Sequence, residues 1–336
     1  MSAVTASLDL PVEDLDLAES VRVGLEKVED RLRRAVAHND RLADEASRHL
    51  IQAGGKRARP LLALLAAHLG DGDRPEVVEA AVVVELTHLA TLYHDDVMDS
   101  APVRRGAPAA HQVWGNTVAI LTGDLLFARA SRIVADLGPD AVRIQATTFE
   151  RLCLGQLHET TGPGDDEDPV EHYLQVLGDK TGSLIATAGR FGAMFAGCSD
   201  DVVDVMVAFG ERVGVAFQLA DDVIDLASGT GQSGKTPGTD LREGVPTLPV
   251  LLVRRAAAGG DESAQAVVAL LDADLADDDR LAEAVAALGA HPATAAARAE
   301  ATRWAEEAVA ALEPLPDSPA KQALRSFAEA VVDRTN

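Results

Sequence analysis

Helix-length segments separated by glycine and proline follow one another along nearly the whole sequence. Ala, Leu, Glu, Asp and Arg dominate and favour helix, whereas aromatic residues make up only 3% of the chain and strand-forming residues other than Val are sparse. Hydrophobic residues make up 47%, which is enough for a large core. We therefore predict an all-α fold, with a disordered segment over residues 1–15 and a single helical domain over 16–336.

Glycine and proline divide the predicted domain into a series of helices. They span 16–37, 40–52, 57–69, 76–99, 117–136, 139–161, 169–177, 180–197, 200–227, 246–258, 262–272, 277–289, 292–312 and 318–334. The Gly-rich loop 227–246 is long enough to indicate an active-site lid. No repeat of 20–50 residues is visible in the sequence, which argues against a repeat array.

The net charge of −24 argues against general nucleic-acid binding, which needs a positive surface. Cys153 and Cys198 lack a CxxC partner, so we expect reduced core thiols and a cytoplasmic protein. The acidic N-terminus lacks the features of a signal peptide. The longest apolar run, AAVVVELTHLATLY, is interrupted by Glu85 and His88, so no bilayer-spanning segment is predicted.

The stretch YHDDVMDSAPVRRG, residues 93–106, places three acids at the end of an apolar helix. Asp95 and Asp99 are four residues apart, so their carboxylates lie on one helix face, and Asp96 flanks them. Like charges at this spacing repel, and acids are unfavourable at a helix C-terminus. A bound cation would offset both penalties.

The same DDxxD spacing recurs in FQLADDVIDLAS, where Asp221, Asp222 and Asp225 come late in another apolar helix. Two such faces, opposed across a helical bundle, would place six carboxylates around one cavity. Mg²⁺ prefers oxygen ligands of this kind and commonly bridges carboxylates and substrate phosphates. One copy alone would be a solvated helix end, whereas two copies predict a Mg²⁺ site.

Positive residues form several short clusters outside the acid motifs. The clusters are Lys56, Arg57 and Arg59 in GGKRARP, Arg104 and Arg105 in VRRG, Lys180 with Thr181 in DKTGSL, and Lys235 in the Gly-rich loop. Arginine binds phosphate oxygens bidentately and lysine acts as a point charge. Together the clusters predict a receptor for two diphosphates, one held through Mg²⁺ and one held directly by cations.

Two further residues lie on the helices that carry the acids. His88 precedes Asp95 by two turns on roughly the same face, and Gln218 precedes Asp221 by three residues. Both are therefore predicted to face the cavity.

Several segments, in a fixed order over roughly residues 54–249, match one known family: GGKRARPLL, ELTHLATLYHDDVMDSAPVRRG, TGDLLFARA, GQLHET, KTGSLIA, FQLADDVIDLAS and GKTPGTDLREGVPTLP. They resemble the all-trans polyprenyl diphosphate synthases. The resemblance implies an isoprenoid synthase-type antiparallel helical bundle around a deep central cavity, usually as a homodimer. It also implies three Mg²⁺ ions that clamp an allylic diphosphate, and prenyl transfer to isopentenyl diphosphate without a protein nucleophile.

The resemblance assigns roles residue by residue. Asp95 and Asp99 would hold one side of the Mg²⁺ clamp, and Asp221, with Asp225 nearby, the other. The residues implied to bind the allylic diphosphate are Arg104, Lys180, Thr181, Gln218 and Lys235. The residues implied to bind isopentenyl diphosphate are Lys56, Arg59, His88 and Arg105. The chain departs from many relatives at Ser100, where an acid is common, and at Val245, where a lysine is common.

The helix face before Asp95 is predicted to line a tunnel for the growing chain. Ala90, Thr91 and, one turn deeper, Thr87 are small there, whereas relatives with short products carry bulky aromatics near these positions. Ala146 resembles a deeper floor position and is also small. We therefore predict a long-chain product of the size used for menaquinone or ubiquinone side chains, with transient membrane contact for its release.

Other functions fit parts of this pattern. A geranylgeranyl diphosphate synthase would share the motifs and differ in the tunnel. A terpene cyclase would not need the second diphosphate site indicated by Lys56, Arg59 and Arg105. A non-catalytic partner subunit would not need two intact acid motifs, and an acidic metal-binding scaffold would not need clustered cations. Mg²⁺-dependent binding of a diphosphate would separate an enzyme from a scaffold.

Overall fold

The computed structural model describes residues 12–227 and 238–333. Lys235 and most of the predicted lid lie outside this part of the chain, as do residues 1–11 and 334–336. In the part described, the predicted all-α fold is confirmed. Its strands form a single two-stranded antiparallel hairpin, in which β1 (Val103–Arg104) pairs with β2 (Ala107–Pro108).

The helices follow one another along the chain with short connections. They are α1 (Leu15–Val36), α2 (Arg41–Gln52), α3 (Ala58–Ala67), α4 (Pro75–Met98), α5 (Ala110–Trp114), α6 (Asn116–Leu137), α7 (Pro139–Thr161), α8 (Pro169–Leu177), α9 (Ser183–Phe195), α10 (Asp200–Ala227), α11 (Thr239–Glu243), α12 (Leu248–Ala258), α13 (Glu262–Leu271), α14 (Asp278–Ala290), α15 (Pro292–Ala311) and α16 (Pro319–Asp333). A π-helical turn, Gly178–Gly182, joins α8 to α9.

Aspartate side chains cap the N-termini of several of these helices. Asp14 accepts a hydrogen bond from the backbone N–H of Leu17 at 2.8 Å, and Asp40 caps α2 in the same way. A carboxylate here satisfies an N–H that has no partner within the helix, and it is favourable to the helix dipole. Part of the large negative charge of the chain therefore stabilises helix N-termini.

The predicted helix ends agree with the observed ones to within about two residues, except near residue 180. There the π-helical turn replaces the first residues of the predicted helix 180–197. The hairpin and the five-residue helices α5 and α11 were not predicted, because such short elements leave no periodic pattern in the sequence.

Contacts within the chain define two compact units, each described by itself. Unit 1 comprises Met1–Arg151, Ser183–Gly210 and Ala311–Phe327. Its helix α4 packs against α1, α3, α6 and α9. Helices α3 and α9 meet so closely that a Cβ at Gly192 would lie 2.1 Å from the carbonyl oxygen of Ala63. Of the described helices, α4 alone is long and apolar enough to cross a membrane, and 67% of its apolar stretch is buried, as in a core helix.

Unit 2 comprises Leu152–Gly182, Glu211–Ala310 and Ala328–Asn336. Its core joins the end of α10 to α11, α12, α13 and α14. Leu226 and Leu241 belong to this core. The C-terminal end of α10, which carries the second acid motif, is therefore held in place by Leu226, the apolar residue that directly follows the last acid.

Candidate active site

The first acid motif lies in unit 1, at the C-terminal end of α4. Asp95 is partly buried, and Asp99 is the exposed residue that follows the helix. Asp96 is different because it is fully buried, and its Oδ1 accepts a hydrogen bond from Arg104 Nε at 2.5 Å. Its Oδ2 is buried and has no hydrogen-bond partner among the residues that the structure describes. Asp96 therefore holds the hairpin that carries Arg104, a role that the sequence did not predict.

The hairpin β1–β2 brings the two predicted arginines next to α2 and α4. His49 on α2 contacts the carbonyl oxygen of Pro108 at 2.7 Å through its Nε2. Arg105 lies at the turn with φ of 54°, a backbone conformation that costs a non-glycine residue free energy. Contacts on both sides of the turn thus fix the arginine pair.

The second acid motif lies in unit 2, near the end of α10. Asp222 is buried and accepts hydrogen bonds from the Tyr173 hydroxyl and from Gln218 Nε2, the latter at 3.2 Å. Burial and neighbouring carboxylates, chiefly Asp240, raise the pKa of Asp222 well above its usual range. Asp221, on the same turn of α10, is only partly buried.

Asp225 links the second acid motif to the chain that follows the undescribed loop. Its Oδ2 accepts from the backbone N–H of Asp240 at 3.3 Å, and its carbonyl oxygen accepts from the backbone N–H of Gly238 at 3.1 Å. Asp225 and Asp240 thus place a further carboxylate beside Asp222. Asp240 belongs to the segment GKTPGTDLREGVPTLP. Its place in the sequence did not predict that it would lie beside Asp222.

The carboxylates supply oxygen donors suited to Mg²⁺, and Asp95 and Asp99 stand one turn apart as a bridging pair requires. Among the described residues, however, no three His, Cys, Asp or Glu side chains gather into a group that could hold a metal ion. In proteins, Mg²⁺ usually binds one or two carboxylates and completes its shell with water and substrate phosphate. The donor set fits an ion that arrives with a diphosphate.

Lys180 and Thr181 lie in the π-helical turn of unit 2. Such turns occur often at functional sites because they push side chains out of the helical register. Lys180 forms an ion pair with Glu159, and Thr181 donates to Gln218 Oε1 at 3.5 Å. A Cβ at Gly155 on α7 would lie 2.8 Å from the backbone nitrogen of Lys180, so the glycine in GQLHET lets the turn approach α7.

A positive cluster in unit 1 gathers residues predicted to bind isopentenyl diphosphate. Arg105 donates to the carbonyl oxygens of Leu50 and Gly54, the former at 3.1 Å. Burial lowers the pKa of Arg59 to about 10, and within the described part of the chain the buried Arg59 Nε has no hydrogen-bond partner. Lys56 is exposed in the same loop. The Nε–H of Arg59 could therefore donate a hydrogen bond to a phosphate oxygen of a bound diphosphate.

His88 faces this positive cluster from α4. Burial and the charges of Arg59 and Arg105, with smaller contributions from Arg57 and Arg104, hold the pKa of His88 well below its usual range. Its imidazole is therefore neutral near pH 7 and can offer a hydrogen bond to a phosphate oxygen but no charge.

Arg57 differs from Arg59 because its guanidinium is paired with carboxylates of the protein. Its Nε donates to Glu29 at 3.0 Å and its Nη1 to Glu85 at 3.0 Å. The side chain of Glu85 is only 2% exposed. Of the three cations in GGKRARP, Arg57 is thus committed to the protein. Its two carboxylate partners come from other helices and were not predicted.

The residues predicted to line the tunnel divide into two groups. Thr87 and Ala90 are fully buried on α4, and Thr91 is partly buried. Ala146, by contrast, is exposed, and its neighbour Gln145 is the buried residue that donates to Thr87 Oγ1 at 3.3 Å. The residue that α7 turns toward α4 is thus Gln145, and the role of Ala146 as a tunnel floor stays a prediction.

An aromatic pair lies next to this part of unit 1. Phe127 on α6 and Phe149 on α7 stack with ring centroids 3.9 Å apart. Phe149 follows Gln145 by one helical turn, so both side chains lie along one stripe of α7.

Comparison with known proteins identifies the family. The family described as Polyprenyl synthetase matches residues 40–288. The chain is 46% identical over 334 residues to the nonaprenyl diphosphate synthase of Mycobacterium tuberculosis, covering 99% of this chain and 98% of that protein. It is 37% identical to the heptaprenyl diphosphate synthase component 2 of Geobacillus stearothermophilus, covering 90% and 93% of the two chains.

Comparison with a solved structure supports the same family at the level of the fold. The geranylgeranyl pyrophosphate synthase of Corynebacterium glutamicum, complexed with calcium and isoprenyl diphosphate, is 43% identical and superposes with a TM-score of 0.84, covering 96% of this chain and 98% of that one. The predicted isoprenoid synthase-type fold is thereby confirmed. The chain belongs to the all-trans polyprenyl diphosphate synthase family.

Proposed function

We propose that the protein condenses an allylic diphosphate with successive isopentenyl diphosphates to give a long-chain all-trans polyprenyl diphosphate, for a quinone side chain such as that of menaquinone. The observation that carries this proposal is that the chain holds two sets of side chains suited to diphosphate. The first set comprises the acid motif of unit 1 and, in unit 2, the second acid motif with Lys180. The second set is the cation cluster of Arg59 and Arg105 beside the neutral His88 in unit 1. A terpene cyclase would need only the first.

The acid motifs are proposed to bind up to three Mg²⁺ ions together with the allylic diphosphate. Asp95 and Asp99 would serve in unit 1, and Asp221 and Asp225 in unit 2, with Asp96 and Asp222 orienting neighbouring groups. When bound, Mg²⁺ would neutralise charge that develops on the departing diphosphate. The residues proposed to contact that diphosphate directly are Arg104, Lys180, Thr181, Gln218 and Lys235.

The chemistry then needs positioning and electrostatic stabilisation more than a reactive side chain. The allylic C–O bond breaks and the diphosphate keeps the electron pair. The double bond of isopentenyl diphosphate attacks the allylic cation and forms the new C–C bond. A proton next to the resulting cation is lost to the released diphosphate, which restores a double bond and leaves a chain longer by one prenyl unit.

Isopentenyl diphosphate is proposed to bind the cluster of Lys56, Arg59, His88 and Arg105. Arg59 and Arg105 supply forked N–H donors that match phosphate oxygens. Because the imidazole of His88 is neutral, it orients the diphosphate by hydrogen bonding and does not compete for a proton.

Product length depends on the buried face before Asp95. Ala90 and Thr87 carry small side chains there, which supports a long product. The second candidate is a geranylgeranyl diphosphate synthase. The observation that favours it is the buried Gln145–Thr87 hydrogen bond, which places a long polar side chain one turn beyond Ala90.

Chromatography of the dephosphorylated products tests both candidates. The protein is incubated with radiolabelled isopentenyl diphosphate, farnesyl diphosphate and Mg²⁺. A ladder that ends in a long polyprenol is expected. A stop at the twenty-carbon product would favour the second candidate, and no incorporation with any allylic primer would contradict prenyl transfer and point to a non-catalytic subunit.

We also propose a homodimer in the cytoplasm. In unit 1, Val113, Ile120, Leu121 and Val142 are large apolar side chains that are exposed on α5, α6 and α7. Exposed apolar residues on neighbouring helices suit a protein interface. Light scattering should give a dimer for the wild type and a monomer for Leu121→Glu, whereas unchanged mass would contradict this surface. Co-sedimentation with vesicles during turnover, but not before it, would support transient membrane contact for product release.

A further inference from the structure

Unit 1 contains a buried ion network that the prenyl-transfer chemistry does not use. Glu85 on α4 and Glu29 on α1 both bind the guanidinium of Arg57. The side chains of Glu85, Arg57 and Glu29 are 2%, 11% and 17% exposed. A charged pair this well buried is costly unless its geometry is good, so it demands an explanation.

Arg57 lies between two of the predicted binding cations in the loop before α3. Lys56 precedes it and Arg59 follows it by two residues. Its φ of 49° is a left-handed conformation that is unfavourable for a non-glycine residue. The surrounding contacts impose this conformation, because the Arg57 guanidinium also donates to the carbonyl oxygens of Ile51 and Gly54, each at 3.4 Å. The Arg57 side chain therefore holds this loop against α1 and α4 through buried contacts.

Glu85 is placed to act on the whole positive cluster and not on Arg57 alone. It lies one turn before His88 on α4. Its charge opposes the fall in the pKa of Arg59 and of Arg105 that burial produces. The guanidinium groups of Arg57, Arg59 and Arg105 would otherwise repel one another with no anion bound.

We propose that Glu85 is a positioning residue of the isopentenyl diphosphate site, which acts through Arg57 to hold the loop that carries Lys56 and leads into the first turn of α3, where Arg59 lies. The inference rests on the proposed function, since it assigns a role within that site. Glu85 does not touch the substrate. Its carboxylate fixes Arg57, and Arg57 fixes the backbone from which the binding cations project.

The test replaces the buried pair without leaving one charge alone. Exchanging a buried ion pair for apolar side chains of similar size is often neutral for stability, so the double variant Glu85→Met with Arg57→Met should fold. Glu29 keeps an ion pair with Arg33 in that variant. The matched control is Glu79→Met with Arg31→Met, which removes another pair between α1 and α4, with Nε and Oε1 2.7 Å apart.

The double variant is expected to raise the KM for isopentenyl diphosphate about tenfold or more, because misplacing a binding group by about 1 Å can cost ~100-fold. The KM for farnesyl diphosphate should stay within about twofold, since that substrate binds elsewhere. Calorimetry with isopentenyl diphosphate alone should show the same loss of affinity. Glu85→Gln removes the charge but keeps an oxygen that accepts from Arg57, so its KM for isopentenyl diphosphate should rise clearly less than that of the double variant.

Three results would overturn the inference. They are an unchanged KM for isopentenyl diphosphate in the double variant, an equal rise in both KM values or in the control pair, and a Glu85→Gln variant as impaired as the double variant. Wild-type protein that incorporates no isopentenyl unit would instead overturn the proposed function. The wild-type assay thus separates the two failures.

Discussion

The guanidinium of Arg105 lies against the Cα of Gly55 so closely that a Cβ at position 55 would be 2.7 Å from Arg105 Cζ. Gly55 also has φ of +144°, a conformation that side chains rarely adopt. Position 55, the second glycine of GGKR, must therefore lack a side chain because Arg105, the second arginine of VRRG, occupies that space. The two motifs are about fifty residues apart in the sequence. Two motifs that were recognised separately in the sequence are therefore in direct contact in the fold.

Gly55→Ala should weaken binding of isopentenyl diphosphate, because the new methyl group displaces Arg105. Gly115→Ala is a suitable control, since Gly115 also has positive φ but has no atom within 4 Å of its Cβ position. Both variants should lose of order 1–3 kcal/mol of unfolding free energy from backbone strain. Only Gly55→Ala should raise the KM for isopentenyl diphosphate, and equal KM values for the two variants would contradict the contact.

Asp95→Asn should reduce kcat by about 100-fold or more, in line with the loss of one group that stabilises a developing charge. It should also raise the Mg²⁺ concentration needed for half-maximal rate. Asp140→Asn removes an exposed carboxylate on α7 and should change neither quantity. A chelator should abolish incorporation by the wild type and added Mg²⁺ should restore it. Full activity in the presence of the chelator would refute the metal requirement.

His88 should make the protein less stable in acid. Its pKa is lowered by burial and nearby arginines, so the unfolded chain binds a proton at a pH where the folded protein does not. The free energy of unfolding therefore rises with pH and reaches its full value above the unfolded pKa of about 6.5, with a slope of at most ~1.4 kcal/mol per pH unit from this group. Urea titrations between pH 5 and 8 should show a shallower slope for His88→Gln, and superimposable slopes would be evidence against this assignment.

The sequence predicted most of the long helices, because their ends are marked by glycine, proline and capping aspartates such as Asp14. It also predicted Asp95, Asp99 and the cation clusters as site residues from their spacing. It could not separate Arg57 from Arg59, since the difference depends on Glu29 and Glu85, which come from other helices. In the sequence Glu85 is only an interruption of an apolar run, although a charge in such a run is itself a sign of a buried partner.

The register of α7 shows a second limit of reasoning from the sequence. Ala146 was selected by resemblance, yet Gln145 contacts Thr87. A helix turns about 100° per residue, so a shift of one position moves a side chain from the interior to the surface. Only the observed packing of α7 against α4 fixes which residue faces inward.

Ala90→Phe should shorten the product while leaving the first condensation largely intact. Ala90 is fully buried on the face that leads to Asp95, so a benzyl group there would fill the space proposed for the growing chain. Such overpacking costs about 1–3 kcal/mol of stability, which melting curves would detect. Ala128→Phe on the exposed face of α6 controls for added bulk and should leave product length unchanged. Chromatography of the dephosphorylated products measures the effect, and a folded Ala90→Phe variant with wild-type product length would mean that Ala90 does not line the tunnel.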